Sequence, residues 1–246
     1  MLLEVQHVRK EFQNRTHALT DASFSVSQGD FVSVIGPSGA GKTTLFRILN
    51  GSLRCDGGVI LVNGVHFESA DRRTRRAIQT TIGTIYQDFA LVENATCRQN
   101  VLNASLPDMA FLPAVCGFFG KERVAEADAL LERVGLADKV HEPVKNLSGG
   151  QKQKIALARA LVHDKPIIIF DEATSNTDAY SEQQINGLLD TRLKDKTVIV
   201  ITHKKEVLSK VDQIVVLKEG VVADLGRYDD LVGKSDELNV MLEKAE

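Results

Sequence analysis

One short stretch of this sequence constrains the fold more than any other. Residues 36–43 read Gly-Pro-Ser-Gly-Ala-Gly-Lys-Thr, which matches the pattern G-x-x-x-x-G-K-[ST]. The strand-like run Phe31–Ile35 precedes it and the helix-like run Thr43–Asn50 follows it. A strand, a glycine-rich loop and a helix in this order begin a parallel α/β unit. The chain is therefore predicted to fold around this loop as an α/β protein.

The chemistry that such a loop favours is phosphate binding. Its glycines let backbone N–H groups turn towards phosphates at a helix N-terminus. Lys42 is placed to reach the terminal phosphates, and the Thr43 hydroxyl is placed to bind Mg²⁺. The predicted phosphate-binding residues are Gly36, Ser38, Gly39, Gly41, Lys42, Thr43 and Thr44. A glycine-rich turn with a chance lysine is the alternative, and the flanking strand and helix argue against it.

A second apolar run ends in two carboxylates. Residues 166–170 are followed by Asp171 and Glu172, as expected when a buried strand delivers acidic side chains to the edge of a sheet. Phosphoryl transfer needs a metal ligand and a group that polarises the attacking water. We therefore predict that Asp171 holds Mg²⁺ and that Glu172 acts on the water.

The remaining pattern predicts one domain over residues 1–246 with a P-loop NTPase core, a parallel-rich sheet and an N-terminal β region. Apolar runs typical of buried parallel strands lie at Phe31–Ile35, Ile82–Tyr86, Ile167–Phe170 and Val198–Ile201. Residues 88–147 are predicted to form a helical insertion subdomain, in which Lys121–Val134 has helical periodicity. Residues 212–246 are predicted to form a C-terminal hairpin and helix, with Lys218-Glu-Gly220 as a three-residue connection.

Charge and hydropathy restrict the partners. A net charge of −3 lacks the strongly basic face that nucleic-acid binding favours, so no nucleic-acid partner is predicted. Arg72, Arg73, Arg75 and Arg76 are read as a solvated helix face. The longest nearly apolar run, Met109–Phe119, has eleven residues, against about 20 for a membrane helix. Any membrane contact is therefore expected to be peripheral and to go through a partner.

A family resemblance rests on Leu147-Ser-Gly-Gly-Gln151, which lies between the phosphate loop and Asp171-Glu172. It resembles the signature motif of ABC ATPases, and the resemblance covers the chain from Leu2 to about Leu231. In that family the signature residues, here Ser148, Gly149 and Gly150, face the γ-phosphate of ATP bound to the opposite subunit. The resemblance therefore implies ATP and Mg²⁺ as ligands and a second copy of the chain as a partner. Without this resemblance, Ser148-Gly-Gly150 would be interpreted as a flexible loop.

The resemblance implies three further site residues. Gln87 matches the family glutamine that senses Mg²⁺ and the γ-phosphate, and His203 matches the histidine that hydrogen-bonds the γ-phosphate. Phe12 stands at the place of the aromatic that stacks on adenine. The alternatives are a surface glutamine, a structural histidine and a core phenylalanine. One departure is Ser175-Asn-Thr-Asp178, where the family commonly has Ser-Ala-Leu-Asp, and this puts communication between the two ATP sites in doubt.

The implied function is that of an ATPase subunit on the cytoplasmic face of the membrane, working with transmembrane permease subunits. Gly36-Pro-Ser-Gly-Ala-Gly, Arg72-Arg-Thr-Arg-Arg and Glu132-Arg-Val-Gly-Leu resemble phosphonate-type importers, which implies a phosphorus oxyanion as cargo and a substrate-binding protein as a further partner. Asp171-Glu-Ala-Thr and Leu217-Lys-Glu-Gly resemble exporter or lipoprotein-release relatives instead. A non-transport ABC ATPase and a small-molecule kinase are the alternatives outside transport.

The apolar segment Met109–Phe119 falls within the predicted insertion, where the family receives a short helix of the membrane subunit. Pro113 and Gly117 argue against one regular helix, so a bent segment that exposes apolar surface is expected. The alternative is that Phe111, Leu112, Phe118 and Phe119 form the core of the insertion itself.

Overall fold

The computed structural model describes residues 1–13, 17–86, 88–171, 195–202 and 204–243. Within these residues, ten strands form one sheet in the order β5-β4-β1-β2-β10-β9-β3-β8-β7-β6. The strands are β1 (Leu3–Glu11), β2 (His17–Val26), β3 (Phe31–Ile35), β4 (Gly57–Val62), β5 (Val65–His66), β6 (Ile82–Ile85), β7 (Ile167–Asp171), β8 (Thr197–Ile201), β9 (Gln213–Lys218) and β10 (Val221–Gly226).

One half of the sheet is parallel. Strands β9, β3, β8, β7 and β6 are neighbours in this order, and every pair among them runs in the same direction. Their β-branched, nearly continuous apolar sequences suit strands that are covered on both faces, and β7 is buried over its whole length. The predicted parallel core is confirmed, and all five strands end at one edge of the sheet or close to it.

The other half is mainly antiparallel and comes largely from the N-terminus, and it joins the parallel half through β10, which pairs with β2 in parallel at Val221 and Asp21. Strand β1 pairs with β2 and β4, and β4 pairs with the short β5, which confirms the predicted N-terminal β region. The hairpin β9–β10 also forms, but its connection is shorter than predicted. Lys218 pairs with Val221, which leaves Glu219 and Gly220 as a two-residue turn. Both have positive φ, at 48° and 80°, as in the turns that match the twist of a hairpin.

Helices cover the parallel strands and fill the region between β6 and β7. They are α1 (Lys42–Leu49), α2 (Arg72–Thr80), α3 (Cys97–Leu102), α4 (Phe111–Cys116), α5 (Gly120–Arg133), α6 (Gly149–Ala160), α7 (Lys205–Leu208), α8 (Tyr228–Leu231) and α9 (Asp236–Glu243). Buried side chains of α3, α5 and α6 pack together and against β6 and β7. The division of the chain into subdomains at 88–147 and 212–246 stays a prediction. No helix in the described ranges is long and apolar enough to cross a lipid bilayer.

The arginine-rich helix α2 is less uniform than predicted. Arg72, Arg73 and Arg76 are exposed, in agreement with a solvated face. Arg75 is not, because its side chain lies under the loop before the helix. Its guanidinium is 4.7 Å from the centroid of the Phe67 ring, and its Nη1 is 3.5 Å from a carboxylate oxygen of Glu68. The helical period therefore places one of the four arginines towards the interior.

The apolar segment 109–119 is bent and mostly exposed. Helix α4 contains Pro113 in its first turn, where a missing N–H costs no helical hydrogen bond, and it ends at Gly117 with φ of 68°. The side chains of Phe111, Leu112 and Phe118 are 80%, 72% and 75% exposed. Only Phe119 packs against the core that contains α5 and α6. The alternative of a core made by all four residues is therefore wrong for three of them.

Candidate functional site

The loop from Gly36 to Gly41 joins the end of β3 to the start of α1. A side chain at Gly36 would place its Cβ 2.2 Å from the carbonyl oxygen of Leu217, and one at Gly41 would place its Cβ 2.3 Å from that of Ala18. Gly41 also has φ of 102°, which L-residues with a side chain rarely adopt. These two glycines are required because the loop backbone passes against the backbones of β9 and β2.

The N-terminus of α1 is open to an anion. Its N-cap, Gly41, makes no side-chain capping hydrogen bond, and the first turn contains no acidic residue. Gly39 has only open space beside it, and Ser38 is exposed. An uncapped first turn presents N–H groups and the positive end of the helix dipole. The loop therefore fits a phosphate group in both shape and charge.

The polar side chains of this loop are placed around the same opening. Lys42 Nζ lies 2.7 Å from the Gly36 carbonyl oxygen and 2.9 Å from that of Pro37, so the ammonium group is held across the loop. Thr43 is exposed and Thr44 is half-buried at the start of α1. The structure thus brings together all of the predicted phosphate-binding residues from Gly36 to Thr44.

Asp171 shares the sheet edge with this loop. It is the last residue of β7 and only 6% exposed. Ile201 of β8 pairs with Asp171 on one side and with Val34 of β3 on the other. Since neighbouring strands are about 4.8 Å apart, two strand spacings put the backbone of Asp171 roughly 10 Å from that of Val34, next to the end of β3. An oxygen ligand and a hydroxyl beside a phosphate loop are the donors that Mg²⁺ prefers.

Three predicted catalytic residues lie outside the described residues. Glu172 comes directly after β7, His203 follows shortly after β8, and Gln87 follows shortly after β6. The three strands are adjacent and parallel, and their carboxyl ends lie at the edge that carries the phosphate loop. The roles of these side chains stay predictions, as does the effect of the departure at Asn176 and Thr177.

Ser148 is the N-cap of helix α6, which begins at Gly149. Its hydroxyl oxygen accepts a hydrogen bond from the Gln151 backbone N–H at 3.3 Å, and its own N–H donates to Gln151 Oε1 at 3.0 Å. This capping box explains why Gly149 and Gly150 are helical rather than part of a flexible loop. The hydroxyl proton is not used by the cap, and both Ser148 and Gly149 are exposed.

The hydrogen bonds described for Ser148 go to Gln151 and Lys152 of its own helix, and those described for Lys42 go to the carbonyl oxygens of Gly36 and Pro37. The exposed start of α6 is thus available to another molecule. This agrees with the implied arrangement in which the signature residues act on the site of a second subunit.

Phe12 directly follows β1, whose partner strand β2 passes the phosphate loop at Ala18. Its ring is 37% exposed, so it is not a core residue, and Lys10 Nζ is 5.8 Å from the ring centroid. The preceding residue, Glu11, pairs with His17 across β1 and β2. The next residue of β2, Ala18, is the one whose carbonyl contacts the Gly41 backbone. An exposed aromatic ring at this place suits stacking on a planar group.

Sequence reasoning missed Arg159. Its guanidinium donates to the carbonyl oxygens of Phe89 and Ala90 at 2.5 and 2.7 Å, two and three residues after Gln87 in the chain. Burial lowers the pKa of this guanidinium, while the neighbouring Tyr86 and Asp88 act in the opposite direction. The one available signal was an arginine set between buried alanines near the end of α6. An arginine in this position is expected to have hydrogen-bond partners, but the sequence does not reveal which residues they are.

Comparison with known proteins identifies the family. The family model described as ABC transporter matches residues 19–175. The phosphonates import ATP-binding protein PhnC 2 of Oceanobacillus iheyensis is 35% identical over 90% of this chain and 88% of its own length. The methionine import ATP-binding protein MetN of Brucella abortus (strain 2308) is 37% identical over 92% of this chain. The glucan export ATP-binding/permease protein NdvA of Agrobacterium vitis is 30% identical over 98% of it.

Two of these three relatives are much longer than this chain, which spans 59% of the MetN protein and 40% of the NdvA protein. Among solved structures, a dimeric post-hydrolysis state of the ATP-binding cassette MJ0796 with ADP and phosphate superposes with a TM-score of 0.79. It is 28% identical and covers 92% of this chain and 98% of that one. The chain therefore belongs to the ABC transporter family, as an ATP-binding domain of that family.

Proposed function

We propose that this chain binds ATP with Mg²⁺ and hydrolyses it as the ATPase subunit of a transporter, at the cytoplasmic face of a membrane. The observation that carries the proposal is the uncapped, glycine-lined start of α1, with Lys42 held across it and Asp171 on the same sheet edge. Such a loop binds phosphates, and an adjacent carboxylate allows a metal to be held there.

Each residue has a role in this proposal. Backbone N–H groups of the loop and Lys42 bind the phosphates, and Thr43, Asp171 and Gln87 hold the metal. When bound, Mg²⁺ neutralises charge that develops on the phosphate oxygens. Glu172 orients and polarises the attacking water, and His203 donates a hydrogen bond to the γ-phosphate. Phe12 stacks on the adenine ring.

A second copy of the chain completes each site in this proposal. Ser148 keeps its hydroxyl proton for an outside acceptor while its oxygen caps α6, and Gly149 leaves the helix start open. These groups would bind the γ-phosphate held by Lys42 of the partner in a head-to-tail pair. The dimeric state of the similar cassette MJ0796 supports this arrangement.

The test separates binding from turnover. Lys42→Ala should lose nucleotide affinity, whereas Glu172→Gln should keep affinity and lose turnover by about 10²-fold or more. Lys234→Ala, which alters an exposed lysine far along the chain, serves as the control and should behave as wild type. With ATP bound, Glu172→Gln should form dimers in light scattering. The assignment would be contradicted if Glu172→Gln hydrolysed ATP at the wild-type rate, or if it stayed monomeric with ATP bound.

For the cargo, we propose uptake of phosphonate or a related phosphorus oxyanion. The support is the similarity to PhnC 2 over nearly the whole of both chains, together with the importer-like strings in the sequence. A transporter of this kind would also use a substrate-binding protein. Deletion of the gene should abolish growth on a phosphonate as the only phosphorus source. Normal growth, or accumulation of a cell product inside the mutant, would favour methionine uptake or export instead.

We further propose that the membrane subunit docks through a short cytoplasmic segment that is apolar and carries acidic residues. The exposed apolar surface of α4 begins four residues after Pro107, whose carbonyl oxygen accepts a hydrogen bond from Arg76 Nη2 at 2.8 Å. Beside it is a cavity of about 380 Å³ with a basic lining. Its walls are Arg72, Arg75, Arg76, Gln79, Thr80, Ala104, Pro107 and Lys165. The apolar surface and the basic cavity together match such a segment in polarity and charge.

A further inference from the structure

The residues on either side of Gln87 are tied to two different helices. Tyr86, before it, packs edge-to-face on Phe46 of α1, with ring centroids 5.8 Å apart. Its hydroxyl also lies 3.4 Å from Asn50 Nδ2 at the end of the same helix. Tyr86, the residue before Gln87, is thus joined to α1, the helix that starts at the phosphate loop.

The residues that follow Gln87 in the chain are joined to α6 instead. Phe89 and Ala90 both have left-handed backbones, with φ of 58° and 43°, although neither is glycine. The Phe89 N–H closes a turn onto the Tyr86 carbonyl at 2.9 Å, and the two carbonyls that follow accept from Arg159. A two-pronged guanidinium fixes the direction of both peptide groups in a conformation that they would not adopt by themselves.

Helix α6 is a rigid carrier for Arg159. Residues Ile155, Ala156, Leu157, Ala158 and Ala160 are buried in the core shared with α3 and α5. Ser148 caps the other end of the same helix, eleven residues away, or about 16 Å along the axis. A shift of Ser148 on contact with a ligand would therefore move Arg159 with it.

We propose that Arg159 is a positioning residue that sets Gln87 through the carbonyls of Phe89 and Ala90, and so links the signature end of α6 to the phosphate loop of the same chain. The inference rests on the proposed function, because it takes Gln87 to act on the metal and the γ-phosphate. The hydrogen bonds described for the Arg159 guanidinium go to the carbonyl oxygens of Phe89 and Ala90. It acts through the turn.

A double-mutant cycle tests the link. Arg159→Ala should lower kcat for ATP hydrolysis about 10-fold, with the Kd for ATP changed by less than about twofold, because misplacing one group slows the reaction without removing the phosphate loop. In a Gln87→Ala background the same substitution should change kcat by less than about twofold, because the group that Arg159 positions is already absent. Arg159→Lys should recover part of the rate, at about 3-fold below wild type, because a lysine keeps the charge but loses the fork.

The matched control is Arg98→Ala. Arg98 is also a partly buried arginine of the helical region, and it makes a two-pronged contact to Asp128 at 2.7 and 2.8 Å between α3 and α5. Its loss should lower the melting temperature and leave kcat unchanged. If Arg159→Ala does not fold, the Arg159→Lys cycle is measured instead.

The possible failures are distinguishable. Three results would overturn the link: an equal loss of kcat in both backgrounds, an unchanged kcat in Arg159→Ala, or an unchanged kcat in Gln87→Ala. In each case the proposed function still holds if wild type hydrolyses ATP and Lys42→Ala does not. No ATP hydrolysis by wild type would overturn the proposed function and this inference with it.

Discussion

At the scale of single residues, the structural role of Ser148 and its proposed functional role use different atoms of one side chain. Its oxygen accepts the Gln151 N–H and so caps α6, while its proton remains for an outside acceptor. A loss of activity on mutation would therefore mix two effects. The two roles separate only if a substitute keeps the cap and removes the donor.

Aspartate is such a substitute. Ser148→Ala should destabilise the fold by about 1 kcal/mol, because an N-cap is lost, whereas Ser148→Asp should stay within a few tenths of wild type. Both should weaken the ATP-driven dimer, and Ser148→Asp more strongly, because its charge faces a phosphate. Chemical denaturation measures the first effect and light scattering with ATP the second. Normal dimerisation of Ser148→Asp would show that Ser148 has only the capping role.

Phe12 is exposed, so its contribution to nucleotide affinity can be measured apart from stability. Stacking on a base contributes about 1–3 kcal/mol, and Phe12→Ala should therefore weaken ATP binding by roughly 10-fold while Phe12→Trp retains it. The melting temperature should change little in either variant. Titration with a fluorescent ATP analogue gives the affinity. Equal affinities for Phe12→Ala and wild type would place the adenine elsewhere.

At the scale of elements, the end of β1 is held in place by the loop before β4. Asp56 accepts a hydrogen bond from Lys10 Nζ at 2.7 Å and another from the Glu11 N–H at 2.8 Å. These bonds, with the one from Lys10 first, lower the pKa of the Asp56 carboxyl. Phe12 follows directly, so the same contacts set the place of the aromatic ring.

A lowered pKa in the folded state makes this contact depend on pH in a defined direction. Its stabilising effect is fully present above the ordinary aspartate pKa of about 3.9 and is lost as the pH falls through the lower folded value. Asp56→Asn should therefore be less stable than wild type at pH 6, and the two unfolding free energies should converge below about pH 3.9.

The matched variant for this test is Lys10→Ala, in which the effect of Asp56→Asn should be smaller because the main hydrogen-bond donor is absent. Urea unfolding at a series of pH values provides the measurement. A difference between Asp56→Asn and wild type that grows as the pH falls would contradict the assignment.

At the scale of the whole molecule, the exposed apolar helix α4 and the partly buried Phe119 next to it predict opposite effects of mutation. Phe111→Ser and Phe118→Ser should each change stability by less than about 0.5 kcal/mol, because both rings are exposed, and each should reduce recovery of the membrane partner. Phe119→Ser should instead cost about 1–3 kcal/mol, because this ring packs on the core with α5 and α6. Thermal melting and co-purification from membranes provide the two readouts.

The docking proposal would be wrong if Phe111→Ser and Phe118→Ser lowered the melting temperature strongly and still recovered the partner. Recovery of lipid vesicles rather than a protein by the isolated subunit would point to a membrane contact instead. Either result would mean that the membrane partner docks on another surface of the chain.

The sequence by itself determined the phosphate loop, the parallel core and the order of the acidic residues, because each depends on a short local pattern. Eight residues between a strand and a helix specify the loop, and apolar runs of four or five residues specify buried strands. Tertiary structure decided where the contacts lie between residues far apart in the chain. Arg159 and Ala90 meet because packing sets the rotation of α6 about its axis. Arg75 points inward because it lies on the face of α2 that packs on Phe67 and Glu68, whereas the other three arginines of the helix are exposed. No local pattern contains the relative rotation of two elements, and that rotation decides which side chains touch.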